Sequence, residues 1–202
     1  MIRARGLVKS FGSATPPVTA PDFQIARGEC LVITGADGSG KSTVLRLLAT
    51  TLRPTAGTIE LDGRDLHGPH SLARTGIAFA DGWLDPAGEL TTGEYLRLSA
   101  ISSGSAARCW DAAERMELDP STPLQQLDPR ARRRLSYATA LASGRELLLL
   151  DDLFDGSTAD VAAAQWISEL VSDGTAVALS GTLAQADDLD GRVLQLVRKC
   201  TS

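Results

Sequence analysis

Cysteine is scarce: Cys30, Cys109 and Cys200 stand far apart, with no Cys-x-x-Cys pair and no metal-ligand spacing. That argues against a disulfide framework or a thiolate metal centre and leaves reduced core or surface thiols as the expectation. A positive charge excess is also lacking. Twenty Lys and Arg against 25 Asp and Glu give a formal net charge of −5, which argues against a general nucleic-acid binder. Long hydrophobic runs are missing, since the longest aliphatic block, Leu147 to Leu150, is far too short to cross a bilayer. Met1 to Gly6 carries two arginines with no apolar run behind them, so it does not read as a signal peptide. Any membrane role is therefore expected to come through a partner. No internal repeat or low-complexity stretch is evident. With 43% hydrophobic residues, 202 residues can bury a full core, and a single domain over 1–202 is expected.

What the chain does have is Gly35-Ala36-Asp37-Gly38-Ser39-Gly40-Lys41-Ser42-Thr43. It lies between the apolar run Leu31-Val32-Ile33 and a helical pattern of Val44, Leu45, Leu47, Leu48 and Leu52. This strand–glycine loop–helix order is what a phosphate-binding loop requires. Gly35, Gly38 and Gly40 let the backbone turn without Cβ clashes, so successive N–H groups face an anion. The helix from about Lys41 adds its free N–H groups and the positive end of its dipole. Lys41 would reach the β- and γ-phosphates, and the Ser42 hydroxyl would ligate Mg²⁺. A nucleoside triphosphate site is the expectation.

The remaining elements read in order. Ile2 to Val8 is a strand with Phe11-Gly12 behind it, and the stretch from Gly12 to Pro21, with three prolines, is a loop. Phe23 to Ile25 begins another short strand. Thr58-Ile59-Glu60-Leu61 alternates and runs into an Asp62-Gly63 turn. Residues 77 to 80 read as a strand, and helical patterns cover Glu94 to Ala100, Ala106 to Glu117 and Arg130 to Ala142. Leu147-Leu148-Leu149-Leu150 entering Asp151-Asp152 reads as a buried parallel strand with carboxylates at its C-terminal end, where α/β proteins place ligands. A helix from about Thr158 to Val171 and strands Ala176 to Leu179 and Val193 to Val197 complete an α/β pattern. The Arg130, Arg132, Arg133, Arg134 cluster is expected to form a solvated helix face.

The order aromatic, phosphate loop, "PTAGTIELDG" and late acidic strand resembles the ATP-binding subunits of ABC transporters, over nearly all 202 residues. The resemblance implies an α/β, P-loop NTPase fold. It further implies an ABC-type nucleotide-binding domain, with a small antiparallel β subdomain and an inserted helical lobe at about 83–143. It places Phe11 on adenine, Asp151 beside Mg²⁺ in the second nucleotide motif, and Asp152 where the family carries a catalytic glutamate. Thr182 falls at the position of the switch histidine. ATP and Mg²⁺ are the implied ligands. Membrane-spanning subunits and a second ATP-binding subunit are the implied partners, on the cytoplasmic face.

Several hydrolytic parts depart from the pattern. Asp152 is one methylene shorter than glutamate, and misplacing a catalytic group by about 1 Å costs on the order of 100-fold in rate. Gly82, with Asp81 beside it, stands where a glutamine normally ligates the metal. The Leu-Ser-Gly-Gly-Gln signature aligns with Leu127-Asp128-Pro129-Arg130-Ala131. Asp128 brings negative charge there, and Pro129 has no N–H to donate. The aspartate that closes the loop after the acidic strand is displaced, with Thr158 in its place and Asp160 two residues on. The expectation is ATP binding with impaired turnover. The alternatives are a fully active ABC ATPase, a non-transport nucleotide-gated module, or a small P-loop kinase. Against the kinase stand "PTAGTIELDG", the lateness of the acidic strand and the lack of an arginine-rich lid near the C-terminal third.

Overall fold

The structure, a computed structural model, describes residues 2–12, 15–68, 76–84, 89–103, 106–154 and 159–197. Its first strands are β1 (Ile2–Lys9), β2 (Val18–Thr19), β3 (Phe23–Ile25), β4 (Cys30–Thr34), β5 (Ala56–Leu61) and β6 (Arg64–Asp65). They are followed by β7 (Ile77–Ala80), β8 (Leu147–Leu150), β9 (Ala176–Ser180) and β10 (Arg192–Gln195). The helices are α1 (Lys41–Leu48), α2 (Thr92–Ser103), α3 (Ala106–Arg115), α4 (Pro129–Leu141), α5 (Ala159–Ser172) and α6 (Leu183–Asp188). The short strand β2 falls inside the stretch expected to be loop, and α6 was not anticipated. Thr158, at the expected start of α5, lies outside the described residues.

Two sheets form. In the antiparallel one, β1 pairs with β2, β3 and β5, and β5 with β6. In the other, all parallel, the order is β10-β4-β9-β8-β7. Leu147 to Leu150 are all buried, because β8 is flanked by β7 and β9 and covered on both faces. The period of two divides them. Leu147 and Leu149 pack with Leu45, Leu48 and the antiparallel-sheet residues Ile25 and Ile59. Leu148 and Leu150 pack instead with Leu135 and Tyr137 of α4 and Ile167 of α5. Cys30 and Cys109 are buried in this core. Burial, with the Glu29 charge adding to it, pushes the Cys30 thiol up to about 12, so it stays protonated and inert.

Register positions the site. Ile33 of β4 lies beside Ser180 of β9, Leu179 beside Leu150 of β8, and Leu150 beside Ala80 of β7. Residues 35–43, Ser180, Asp151 and Asp81 therefore emerge together at the C-terminal end of one parallel sheet, where such sheets bind ligands.

Candidate nucleotide site

The phosphate loop turns where the glycines predict. Gly40 at φ 103° is the N-cap of α1, with no side chain capping the helix, so the first N–H groups of α1 point free into the loop. A Cβ at Gly35 (φ 151°) would sit 2.6 Å from Ser39 Oγ and 2.7 Å from the Leu196 carbonyl, so only glycine fits. The Lys41 ammonium donates to the carbonyls of Gly35 (2.8 Å) and Ala36 (3.3 Å). A cavity of about 590 Å³ opens over this loop, lined by Asp37, Gly38, Ser39, Gly40, Lys41, Ser42 and Thr43. Gly35 shapes the turn but is not among the lining residues.

Phe11, Pro16, Pro17 and Val18 form another part of the wall. Phe11 is 52% exposed, and Lys9 Nζ stands 5.6 Å from its ring centroid, leaving an accessible aromatic face at the cavity edge. Asp151, Asp152, Ser180 and Asp81 line the same cavity.

The acidic pair is held by its surroundings. Asp151 is only 6% exposed. Ser180 Oγ donates to Asp151 Oδ1 at 2.7 Å and accepts from the Asp152 N–H at 2.7 Å. Tyr137 of α4 donates its hydroxyl toward the Asp151 carbonyl (2.5 Å) and the Asp152 carbonyl (2.9 Å). Burial pushes the Tyr137 phenol far above its ordinary pKa, so it remains a donor. These bonds hold Asp152 at φ 56°, a left-handed conformation that non-glycine residues rarely adopt. The Asp152 carboxylate pairs with Arg133 at 2.7 Å. Burial alone would lower the Arg133 pKa, but the hydrogen bond and charge of Asp152, together with the Tyr137 phenol, raise it.

Thr182 stands elsewhere. It caps α6 in a reciprocal box, its side chain accepting from the Gln185 N–H and its own N–H donating to Gln185 Oε1. It is exposed and is not among the lining residues; the polar group that β9 delivers to the acidic pair is Ser180.

The expected signature segment begins a helix. Asp128 is the N-cap of α4, its Oδ1 accepting from the Ala131 N–H at 2.7 Å. Pro129 takes the first helical position, where a missing N–H costs nothing. Arg130 is exposed. The arginine cluster is only in part the solvated face expected of it: Arg132, Arg133 and Arg134 are half-buried, Arg132 donating to the Gln125 carbonyl, Arg133 pairing with Asp152 and Arg134 with Glu117. Four-residue helical spacing puts Arg133 and Tyr137 on one face, and that face points at the acidic pair.

Gly82 has φ 72°, and a Cβ there would come within 2.9 Å of Arg133 Cγ and 3.0 Å of the Tyr137 hydroxyl. Gly82→Ala is accordingly expected to destabilise the fold by roughly 1–3 kcal/mol in a denaturant titration. Asp81 is the residue of this pair that lines the cavity, and Arg46 lies 3.5 Å from its carboxylate.

A buried parallel sheet ending in a glycine loop, a lysine, a hydroxyl and a carboxylate defines a P-loop nucleotide-binding fold. Residues 18–155 match the family described as ABC transporter, and the chain belongs to it. An Fe(3+) ions import ATP-binding protein, FbpC 3 of Rhodococcus jostii (strain RHA1), is 35% identical over 166 residues, covering 78% of this chain and 47% of that protein. The taurine import ATP-binding protein TauB of Pseudomonas aeruginosa is 36% identical over 135 residues, covering 64% and 51%. The chain thus spans about half the length of these curated relatives. Among solved structures, one described as the ATP-binding subunit of an ABC transporter superposes with a TM-score of 0.80. It is 22% identical and covers all of this chain and 90% of that one. The ATP-binding cassette MJ0796, a dimer in a post-hydrolysis state bound to ADP and Pi, gives 0.81 at 23% identity, covering 97% and 94%. These likenesses establish the ABC-type nucleotide-binding fold.

Proposed function

We propose that residues 1–202 form a single ABC-type ATP-binding domain, with a helical lobe at about 83–143, that serves an ABC transporter as an ATP-binding subunit. In this reading it binds Mg-ATP and turns it over slowly or not at all. The observation that carries the binding half is the cavity at the sheet end, where the uncapped start of α1, Lys41 and Ser42 face Asp151. Gly38, Ser39, Gly40, Lys41, Ser42 and Thr43 would cradle the phosphates, Asp37 borders them, and Phe11 would stack on adenine. A hydroxyl and a carboxylate suit Mg²⁺, which prefers oxygen ligands and is commonly completed by phosphate oxygens and water. Ser42 would hold it directly and Asp151 through water. The metal would supply neutralisation of charge on the phosphates.

The catalytic half is weakened in this reading. The Asp152 carboxylate is tied to Arg133, Thr182 spends its hydroxyl on a helix cap, and Asp128 places its own carboxylate on the N-terminus of α4. That N-terminus would otherwise offer its N–H groups to an anion held by a second subunit. A second ATP-binding subunit and membrane-spanning subunits are the proposed partners, with the chain held peripherally on the cytoplasmic face. Among the described residues no helix is long and apolar enough to cross a membrane.

Phosphate release tests this. The chain is expected to release phosphate barely above background, and Asp152→Asn should leave that rate unchanged. Robust release that Asp152→Asn abolishes would identify Asp152 as a working base and defeat the proposal.

A further inference from the structure

Among the described residues, the cavity wall carries four carboxylates, Asp37, Asp81, Asp151 and Asp152, and one cation, Lys41. A bound polyphosphate adds further negative charge to this surplus. Mg²⁺ beside Asp151 and the start of α1 would offset part of this, and Coulomb repulsion from the remaining acids opposes binding unless they too are neutralised. Two of them have arginine partners that reach in from outside the lining. Arg46 of α1 stands 3.5 Å from Asp81, and Arg133 of α4 stands 2.7 Å from Asp152.

The second pair is the more tightly built. The Arg133 side chain is 28% exposed and that of Asp152 78%, so the arginine is fixed while the carboxylate it meets faces the solvent side. The guanidinium packs 5.8 Å from the Tyr137 ring centroid. Tyr137 in turn grips the Asp151 and Asp152 carbonyls, and Gly82 supplies the space that both side chains fill. Helix α4 therefore controls both the backbone and the carboxylate of Asp152.

We propose that Arg133 is a positioning residue for polyphosphate binding, drawing the Asp152 carboxylate toward α4 and cancelling its charge so that the cavity accepts a polyanion. This rests on the reading of the cavity as a Mg-ATP site. Arg133 acts through Asp152 and does not itself touch the nucleotide, so its contribution disappears once Asp152 is neutral.

Calorimetric titration with Mg-ATP in about 0.1 M salt tests this, on the wild type, Arg133→Gln, Arg133→Lys, Asp152→Asn and the double variant Arg133→Gln/Asp152→Asn. Arg133→Gln is expected to weaken binding about fivefold, the scale of one uncovered charge near a polyphosphate in screened water. Arg133→Lys, which retains the charge, should bind within about twofold of wild type, and Asp152→Asn should bind more tightly than wild type. The double variant should recover at least wild-type affinity. A loss that persists in the double variant, or is equally large in Arg133→Lys, would mean that Arg133 serves packing or touches phosphate directly, and would overturn the proposal. Wild-type affinity in Arg133→Gln would overturn it as well. If the wild type itself takes up no Mg-ATP, the site reading fails and this proposal falls with it, a result distinguishable from the others.

Discussion

Lys41→Ala is expected to abolish the stabilisation that Mg-ATP gives the wild type. A ligand at 100 times its Kd stabilises the folded state by about 2.7 kcal/mol. In a chain of this size that is a rise in Tm of roughly 5–10 °C. Lys41 is the one cation among the described lining residues, and its ammonium is held at the loop by the Gly35 and Ala36 carbonyls. Removing it leaves the free N–H groups of α1 facing the phosphates without a neutralising charge. The ligand-free variant loses only two hydrogen bonds at a partly exposed site and should melt close to the wild type. Thermal-shift titrations of both proteins check the prediction, and equal ATP-induced shifts would refute it.

Ser180→Ala is expected to destabilise the ligand-free fold by roughly 2–3 kcal/mol, because it strips a donor from a buried carboxylate and an acceptor from a backbone N–H at once. Ser180 Oγ is the link between Asp151 Oδ1 and the Asp152 N–H, and both Ser180 and Asp151 are buried. The loss should exceed the fraction of a kilocalorie expected for an exposed serine. Chemical denaturation measures it, and a loss under about 0.5 kcal/mol would mean that water replaces the hydroxyl without penalty.

Much of this arrangement was legible from local pattern. The glycines at 35, 38 and 40, followed by Lys41-Ser42, sit in a strand–loop–helix context that few other structures would need. Leu147 to Leu150 read correctly as a doubly covered strand because an unbroken apolar run suits burial on both faces. Other features carry a local structural meaning that the family resemblance did not bring out. Thr182 with Gln185 three residues on is a capping-box pattern, and it marks the start of α6. Asp128-Pro129 is a helix start, an N-cap followed by proline at the first turn, as well as a departure from the signature.

The rest depended on long-range register. Nothing near Ser180 marks it as the partner of Asp151, since their meeting follows from the pairing of β9 with β8 across 29 residues. The four arginines of α4, Arg130, Arg132, Arg133 and Arg134, likewise carry no mark of which one turns inward. Only the four-residue spacing from Arg133 to Tyr137 hinted at a shared face, and burial of Tyr137 decides which way it points.

Bound ATP is proposed to be hydrolysed slowly or not at all, and the fate of the bound nucleotide tests that most directly. The chain is mixed with an equimolar amount of Mg-ATP, held for an hour at 25 °C, separated from free ligand and extracted for chromatography. Recovery of nucleotide almost wholly as ATP is the predicted result, with Lys41→Ala retaining none. Complete conversion to ADP in a sample taken within the first minute, suppressed in Asp152→Asn, would contradict impaired turnover and make this chain a working ATPase.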